Sequence, residues 1–158
     1  MSMIRKSKQL AFIWLLSISA LGCHESGSST ANDSDLAYCV SLINQFRAAH
    51  SKPALTRSPE IEACAAAGAR EDAASGRAHG HFSDTGGCGF TADAENEIPG
   101  WSLGNRSIRE IIDDGTQMMM DEGPGGGHYE NILGEHEAMG CGIYVTDAGE
   151  VWIVQNFK

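Results

Sequence analysis

The sequence predicts an α+β domain, a three-layer α-β-α sandwich, and two observations carry that prediction. Apolar residues recur at helical spacing in three separate stretches between residues 35 and 120, whereas residues 142–157 alternate with period two around a turn. In that terminal pair, Ile143 and Val145 alternate with Tyr144, and Val151 and Ile153 alternate with Trp152 and Val154, so both faces of the strands are apolar. A sheet with two apolar faces needs helices on each side of it.

The elements follow in chain order. Leu36, Val40, Ile43 and Phe46 mark an amphipathic helix over residues 35–50. Ser58-Pro59-Glu60 supplies an N-cap, a proline at the first helical position and an acid in the first turn of a second helix reaching about Gly76. The inward face of that helix, Ile61, Cys64, Ala65, Gly68 and Ala69, is small enough for another element to approach closely. Residues 77–104 are glycine-rich and show no sustained period, so they read as a long ordered loop, punctuated by His79, Cys88, Glu95 and Trp101. Loops of that length inside a compact domain tend to carry function. Ile108, Ile111 and Ile112, with Met118 to Met120, predict a third helix interrupted at Gly115, its methionines filling the core. Pro124 and three glycines then form a flexible approach to His128, and Asp147-Ala148-Gly149 is the turn of a terminal hairpin.

The first residues predict export. Arg5, Lys6 and Lys8 precede an apolar run from Leu10 to Leu21, too short to span a bilayer of about 30 Å, so residues 1–22 read as a signal peptide. Ser19-Ala20-Leu21-Gly22-Cys23 resembles a bacterial lipobox, with Ala20 where leucine is commoner; ordinary secretory cleavage near the same place is the alternative. Cysteine parity favours the lipoprotein. Five cysteines cannot all pair, but giving Cys23 to lipid leaves Cys39, Cys64, Cys88 and Cys141, an even set for an oxidising compartment. The simplest pairing joins 39 to 64 and 88 to 141, with two other connectivities open.

The organisation expected is a signal peptide over 1–22, a lipidated flexible tether over 23–35, rich in serine, glycine and asparagine, and one domain over 36–158. Loss of the signal leaves 8 Lys+Arg against 21 Asp+Glu, a net charge of −13. Such a body repels phosphate backbones and anionic headgroups, which excludes a nucleic-acid role and leaves the lipid anchor as the membrane contact.

Four separated residues, His79, Glu95, Glu122 and His128, offer two imidazoles and two carboxylates, a donor set suited to zinc or another divalent cation. They lie in an ordered series: Asn44-x-x-Arg47, Lys52-Pro53-Ala54-Leu55, an alanine-rich helix, His79, Glu95-Asn96, Glu122, Gly127-His128-Tyr129 and Gly140-Cys141-Gly142. The series resembles the CAP superfamily of cysteine-rich secretory proteins, antigen 5 and plant pathogenesis-related proteins, its bacterial members above all, over about residues 36–158. The resemblance implies the same sandwich fold and assigns His79, Glu95, Glu122 and His128 to the family's His/Glu cleft, with His81 as the competitor for the first histidine. Two departures are visible: Ala94 replaces the glycine before the first glutamate, and Glu130-Asn131-Ile132-Leu133 replaces the residues that commonly follow the second histidine.

Two readings of the tetrad stand side by side. In one it binds a metal; in the other it is a hydrogen-bonded clasp that ties two loops to the sandwich. Glu135-His136-Glu137, next to the family motif, reads as a solvated loop rather than as ligands. The function expected is an exported lipoprotein, membrane-anchored or secreted, whose acidic cleft binds a metal, a small ligand, a glycan or a protein. The alternative is a metal-assisted hydrolase of extracellular peptide or glycan, which lacks support from any Gly-x-Ser-x-Gly or His-Glu-x-x-His signature.

Overall fold

The computed structural model describes residues 31–158. The signal peptide, Cys23 and the tether up to residue 30 lie outside the described residues, but 33–35, expected in the tether, already form the first turn of a helix. That helix, α1 (Asp33–Ala49), starts there because Asn32 and Asp35 form a reciprocal capping box. Next come β1 (Thr56–Arg57), a two-residue strand the sequence did not announce, and α2 (Pro59–Ser75), capped by Ser58 as predicted and closed by Gly76 in the left-handed conformation.

The expected loop over 77–104 is instead α3 (Gly80–Phe90) followed by β2 (Ala94–Ser102). Periodicity was hidden for two reasons. The second half of α3 leaves the right-handed region at residues 86–89, and β2 places Glu95, Asn96 and Glu97 at buried positions where a core strand would alternate with apolar residues. α4 (Ile108–Asp121) runs unbroken through Gly115, correcting the predicted interruption. A Cβ there would lie 2.2 Å from Ile98 Cδ1, so the glycine serves close packing against β2 rather than a break. α5 (Gly127–Leu133), β3 (Ala138–Val145) and β4 (Glu150–Phe157) complete the chain.

The strands lie in the order β1-β3-β4-β2, with β1 parallel to β3 and the other pairings antiparallel. β2 is therefore an edge strand, and its register with β4 shifts between Ile98 and Trp101. Alternation along β4 sorts the two cores. Val151, Ile153 and Phe157 join Ile43, Ile111, Ile112 and Met119 of α1 and α4 on one face; Trp152 and Val154 meet Ala65 and Ala69 of α2 on the other. Met118 alone of the methionine run is substantially exposed, and Met119 and Met120 fill the core as expected. The layers are thus α1, α4 and α5, then the sheet, then α2 with α3 packed beside it, which is the α-β-α sandwich. Among the described residues no helix is long and apolar enough to cross a membrane.

Layering also decides the disulfides. Cys39 pairs with Cys141, and Cys64 with Cys88, correcting the expected 39–64 and 88–141 pairs. Cys39 on α1 and Cys64 on α2 lie on opposite sides of the sheet and cannot meet. Cys141 points to the α1 side, since its neighbours Gly140 and Gly142 face α2.

Candidate functional site

The site forms at the free edge of β2, where both helical layers reach past the sheet. Antiparallel pairing places Glu95 opposite Asn156 and Glu97 opposite Val154, so both carboxylates face the α2 layer. There His79, between α2 and α3, donates its backbone N–H to Glu97 Oε2 at 2.5 Å and sets its Nδ1 3.0 Å from Glu95 Oε1. His79 holds a left-handed backbone (φ 58), a conformation few non-glycine residues take. From the other layer, Glu122 ends α4 and His128 opens α5, with His128 Nδ1 2.5 Å from Glu122 Oε1 and the His128 N–H donating to Glu122 Oε2 at 3.1 Å. The two rings stack with centroids 6.3 Å apart and planes 29° from parallel.

Asn96 faces the α5 side and couples the two halves. Its Nδ2 donates to the His128 carbonyl at 3.1 Å, while Asn131 Nδ2 donates to Asn96 Oδ1 at 2.9 Å and to the Glu95 carbonyl at 3.1 Å. Asn131, within Glu130-Asn131-Ile132-Leu133, thus anchors α5 to the glutamate strand.

Electrostatics divide the site into a buried and an open half. The Glu95 and Glu97 side chains are 2% and 0% exposed, against 44% for His79. The hydrogen bond to Glu95 holds His79 protonated to higher pH than usual, against the opposing effect of burial. Burial keeps the Glu95 carboxyl above its ordinary range despite His79, and pushes Glu97 up to about 7. On the open side, the hydrogen bond from His128 holds Glu122 below the usual carboxylate range. Glu95 Oε2 and Glu97 Oε1 are buried without any hydrogen-bond partner, and among the described residues neither histidine Nε2 has a protein partner. Orphaned buried carboxylate oxygens beside imidazoles fit a bound cation. One atom each from His79, Glu95 and Glu97 lie within 4.8 Å of one another, a group that Glu122 and His128 do not join.

Residues 40–157 match the family model of the cysteine-rich secretory protein family, CAP. The chain belongs to the CAP family. A cysteine-rich secretory protein from Staphylococcus aureus superposes with a TM-score of 0.54 at 15% identity, over 80% of this chain and 39% of that one. An outer surface protein from Borrelia burgdorferi gives 0.59 at 14% identity, covering 82% of this chain and 96% of its own. A hookworm platelet inhibitor gives 0.54 at 14% identity, covering 81% and 70%. This chain spans well under half the length of the staphylococcal protein. A search of curated proteins finds no sequence match. At such identities the likeness establishes the sandwich fold.

Within this CAP domain the structure brings His79 to Glu95 and His128 to Glu122, and stacks one pair on the other. His81 goes elsewhere: its Nδ1 meets Glu71 Oε2 at 2.8 Å and its Nε2 meets Cys88 Sγ at 3.3 Å. Cys64, His81 and Cys88 also converge at metal-ligand distances, but the disulfide withholds both thiolates. Glu97 was missed in the sequence, although its two-residue spacing from Glu95 on one strand was the available signal. Glu135 pairs with Lys52, and the His136 ring packs on Phe157, so neither belongs to the site. Asn44 and Arg47 are structural. Asn44 brackets the Leu55 backbone, and buried Arg47 donates to the carbonyls of Pro53, Ile132 and Gly134, fixing the end of α5.

Proposed function

We propose that this CAP domain is an exported, lipid-anchored binding module of the cell envelope whose His/Glu cleft holds a divalent cation, zinc being the best match to its donors. One observation carries the reading: each ring has its Nδ1 taken by a carboxylate, which orients the imidazole and leaves Nε2 for a ligand, the arrangement that carboxylates behind metal-bound histidines produce. His79 and His128 would hold the ion, with Glu95 and Glu122 orienting them, and the unpartnered oxygens of Glu95 and Glu97 are the further carboxylate donors of the site. When bound, the ion supplies a Lewis-acidic, positively charged centre in an otherwise acidic domain, fit for carboxylate, carbonyl or hydroxyl groups of a small ligand, glycan or peptide. The chain's own contribution is a rigid frame: the Asn96–Asn131 bridge fixes the spacing of the two histidines. Export rests on the signal-like first residues and on the two disulfides, and anchoring rests on Cys23.

Calorimetric titration of chelator-treated protein with zinc tests the reading. Saturable binding is expected, and His79→Ala or His128→Ala should each weaken it by about tenfold or more, with the far-UV spectrum and cooperative unfolding retained. Because only neutral imidazole ligates, binding should weaken on acidification, beginning above the ordinary histidine value at His79, whose proton Glu95 holds. Absence of saturable binding together with loss of stability in either variant refutes the cation reading in favour of a structural clasp.

A further inference from the structure

The two disulfides occupy unlike environments. Cys39 and Cys141 are 0% and 1% exposed inside the larger apolar core. Cys64 is likewise buried at 5%, on α2, but Cys88 is half-buried in a glycine-flanked segment at the surface. From Gly86 to Phe90 all five residues have φ between 54° and 73°. Cys88 and Phe90 pay no glycine discount for this: each left-handed non-glycine residue costs about 1–2 kcal/mol. Phe90, two residues after Cys88, stands in solvent at 79% exposure.

Beside that sulfur lies a second polar constellation, which adjoins the buried half of the cation cleft across Gly68. His81, its side chain 9% exposed, brings Nε2 to 3.3 Å from Cys88 Sγ. Its Nδ1 is held by Glu71 at 2.8 Å, and its backbone N–H by Asp72 Oδ1 at 2.7 Å. A carboxylate at Nδ1 selects the tautomer that carries the proton there, so the Nε2 lone pair faces the sulfur. Thr85 Oγ1 accepts the Cys88 N–H at 2.9 Å. A cavity of about 140 Å³, lined by Glu71, Asp72, His81 and Thr85 among others, opens against the same ring.

We propose that Cys64–Cys88 is a redox-active disulfide that exchanges with the dithiol or disulfide of an envelope partner through Cys88, with His81 as the catalytic base and Glu71 as its positioning residue. In the reducing direction, a thiol of an external dithiol gives its proton to His81 Nε2, which passes it to solvent, and attacks Cys88 Sγ. The new S–S bond forms as the 64–88 bond breaks, and the electron pair leaves on Cys64, which takes a proton from water and lies 3.4 Å from Asn156 Nδ2. The partner's second thiol loses its proton to His81 Nε2 and attacks the partner's own first sulfur, expelling Cys88 as a thiolate. His81 then returns that proton to Cys88. Two electrons and two protons pass to the protein, and the partner leaves as a disulfide. In reverse, the Cys88 thiol donates to Nε2, attacks a partner disulfide, and Cys64 resolves the mixed disulfide. The left-handed backbone held closed at Cys88 favours opening, as strain does in labile disulfides.

The full chain is treated with graded dithiothreitol at one fixed pH in zinc-free buffer, quenched by alkylation and mapped by peptide mass. Cys64 and Cys88 are expected to label while the fold is intact, with Cys39 and Cys141 labelling only under denaturant. His81→Gln should slow both opening and reoxidation of the 64–88 pair by about tenfold or more, and Glu71→Gln should slow them less while shifting the pair's equilibrium with glutathione. A purely structural disulfide behaves oppositely: disturbing His81 loosens its surroundings and speeds its opening. Equal or faster opening in His81→Gln overturns the proposal. Should that variant not fold, the native chain decides, because simultaneous opening of both disulfides with global unfolding overturns it as well.

Discussion

Glu97→Gln isolates one ionisation in the buried half of the site. The side chain is 0% exposed, with Oε2 accepting from the His79 backbone and Oε1 unpartnered. Glutamine keeps the acceptor, removes the charge and offers an amide donor toward the neighbouring carboxylate. In the native chain burial raises Glu97 from 4.5 to about 7. Between those values the unfolded chain releases this proton while the folded chain retains it. The folded state then binds more protons, and stability falls as pH rises. The contribution is complete below 4.5 and fully lost above about 7. At about 1.4 kcal/mol per tenfold change in proton affinity, the loss is about 3 kcal/mol. That figure is a ceiling, since Glu95 and His79 titrate together with Glu97. Both of those groups are also raised and push the slope the same way. Glu97→Gln should therefore match native stability near about pH 4.5 and exceed it by up to about 3 kcal/mol near about pH 8. Urea unfolding in chelator, stepped across that range, measures both curves. A native curve that is flat or rising from about pH 5 to 7, with the variant parallel to it, refutes the assignment of a proton to this carboxyl.

Arg47→Met strips the carbonyls of Pro53, Ile132 and Gly134 of their donor, the Ile132 contact being buried, and should cost about 1–3 kcal/mol, read as a lowered urea midpoint with the fold retained. Gly142→Ala would place a Cβ 2.1 Å from the Ala65 carbonyl carbon, so α2 must shift off the sheet. The expected loss is about 1–3 kcal/mol or more, and an unchanged midpoint would contradict the packing of α2 on β3. Intact mass of protein extracted from membranes should show an acylated chain beginning at Cys23; a soluble product with an unmodified N-terminus rejects the anchor.

The parts of the fold that were legible in the sequence are those whose residues answer only to the core. α1 and α2 announced themselves through apolar spacing and the Ser58-Pro59 cap, and β3 and β4 through strict alternation. β2 did not, because Glu95, Asn96 and Glu97 occupy buried strand positions for the sake of the site, and α3 did not, because its left-handed second half has no helical period. Local rules break where function or strain overrides them. The disulfide pairing was illegible for a different reason: which side of the sheet a helix covers is a property of the layers, and Cys39 and Cys64 sit on similar consecutive helices that end on opposite faces.

The placement of the tetrad follows from the same strand that hid it. Successive residues of a strand point to opposite faces, so Glu95 and Glu97 meet His79 in the α2 layer while Asn96 meets His128 and Asn131 in the α5 layer. An interior strand would keep those layers apart by the width of the sheet. β2 is an edge, and beyond it the two layers face each other directly, which lets the His79 and His128 rings stack. A shift of β2 by one residue would exchange the faces and send both carboxylates into the apolar side against Ile111 and Met119. Its register is held by the pairs from Ala94–Phe157 to Ile98–Ile153, and by Ile98 seated against Gly115. Gly115→Ala therefore acts on the site from a distance: by displacing Ile98 it should disturb the His79–Glu95 contact and weaken zinc binding, even though position 115 touches neither histidine.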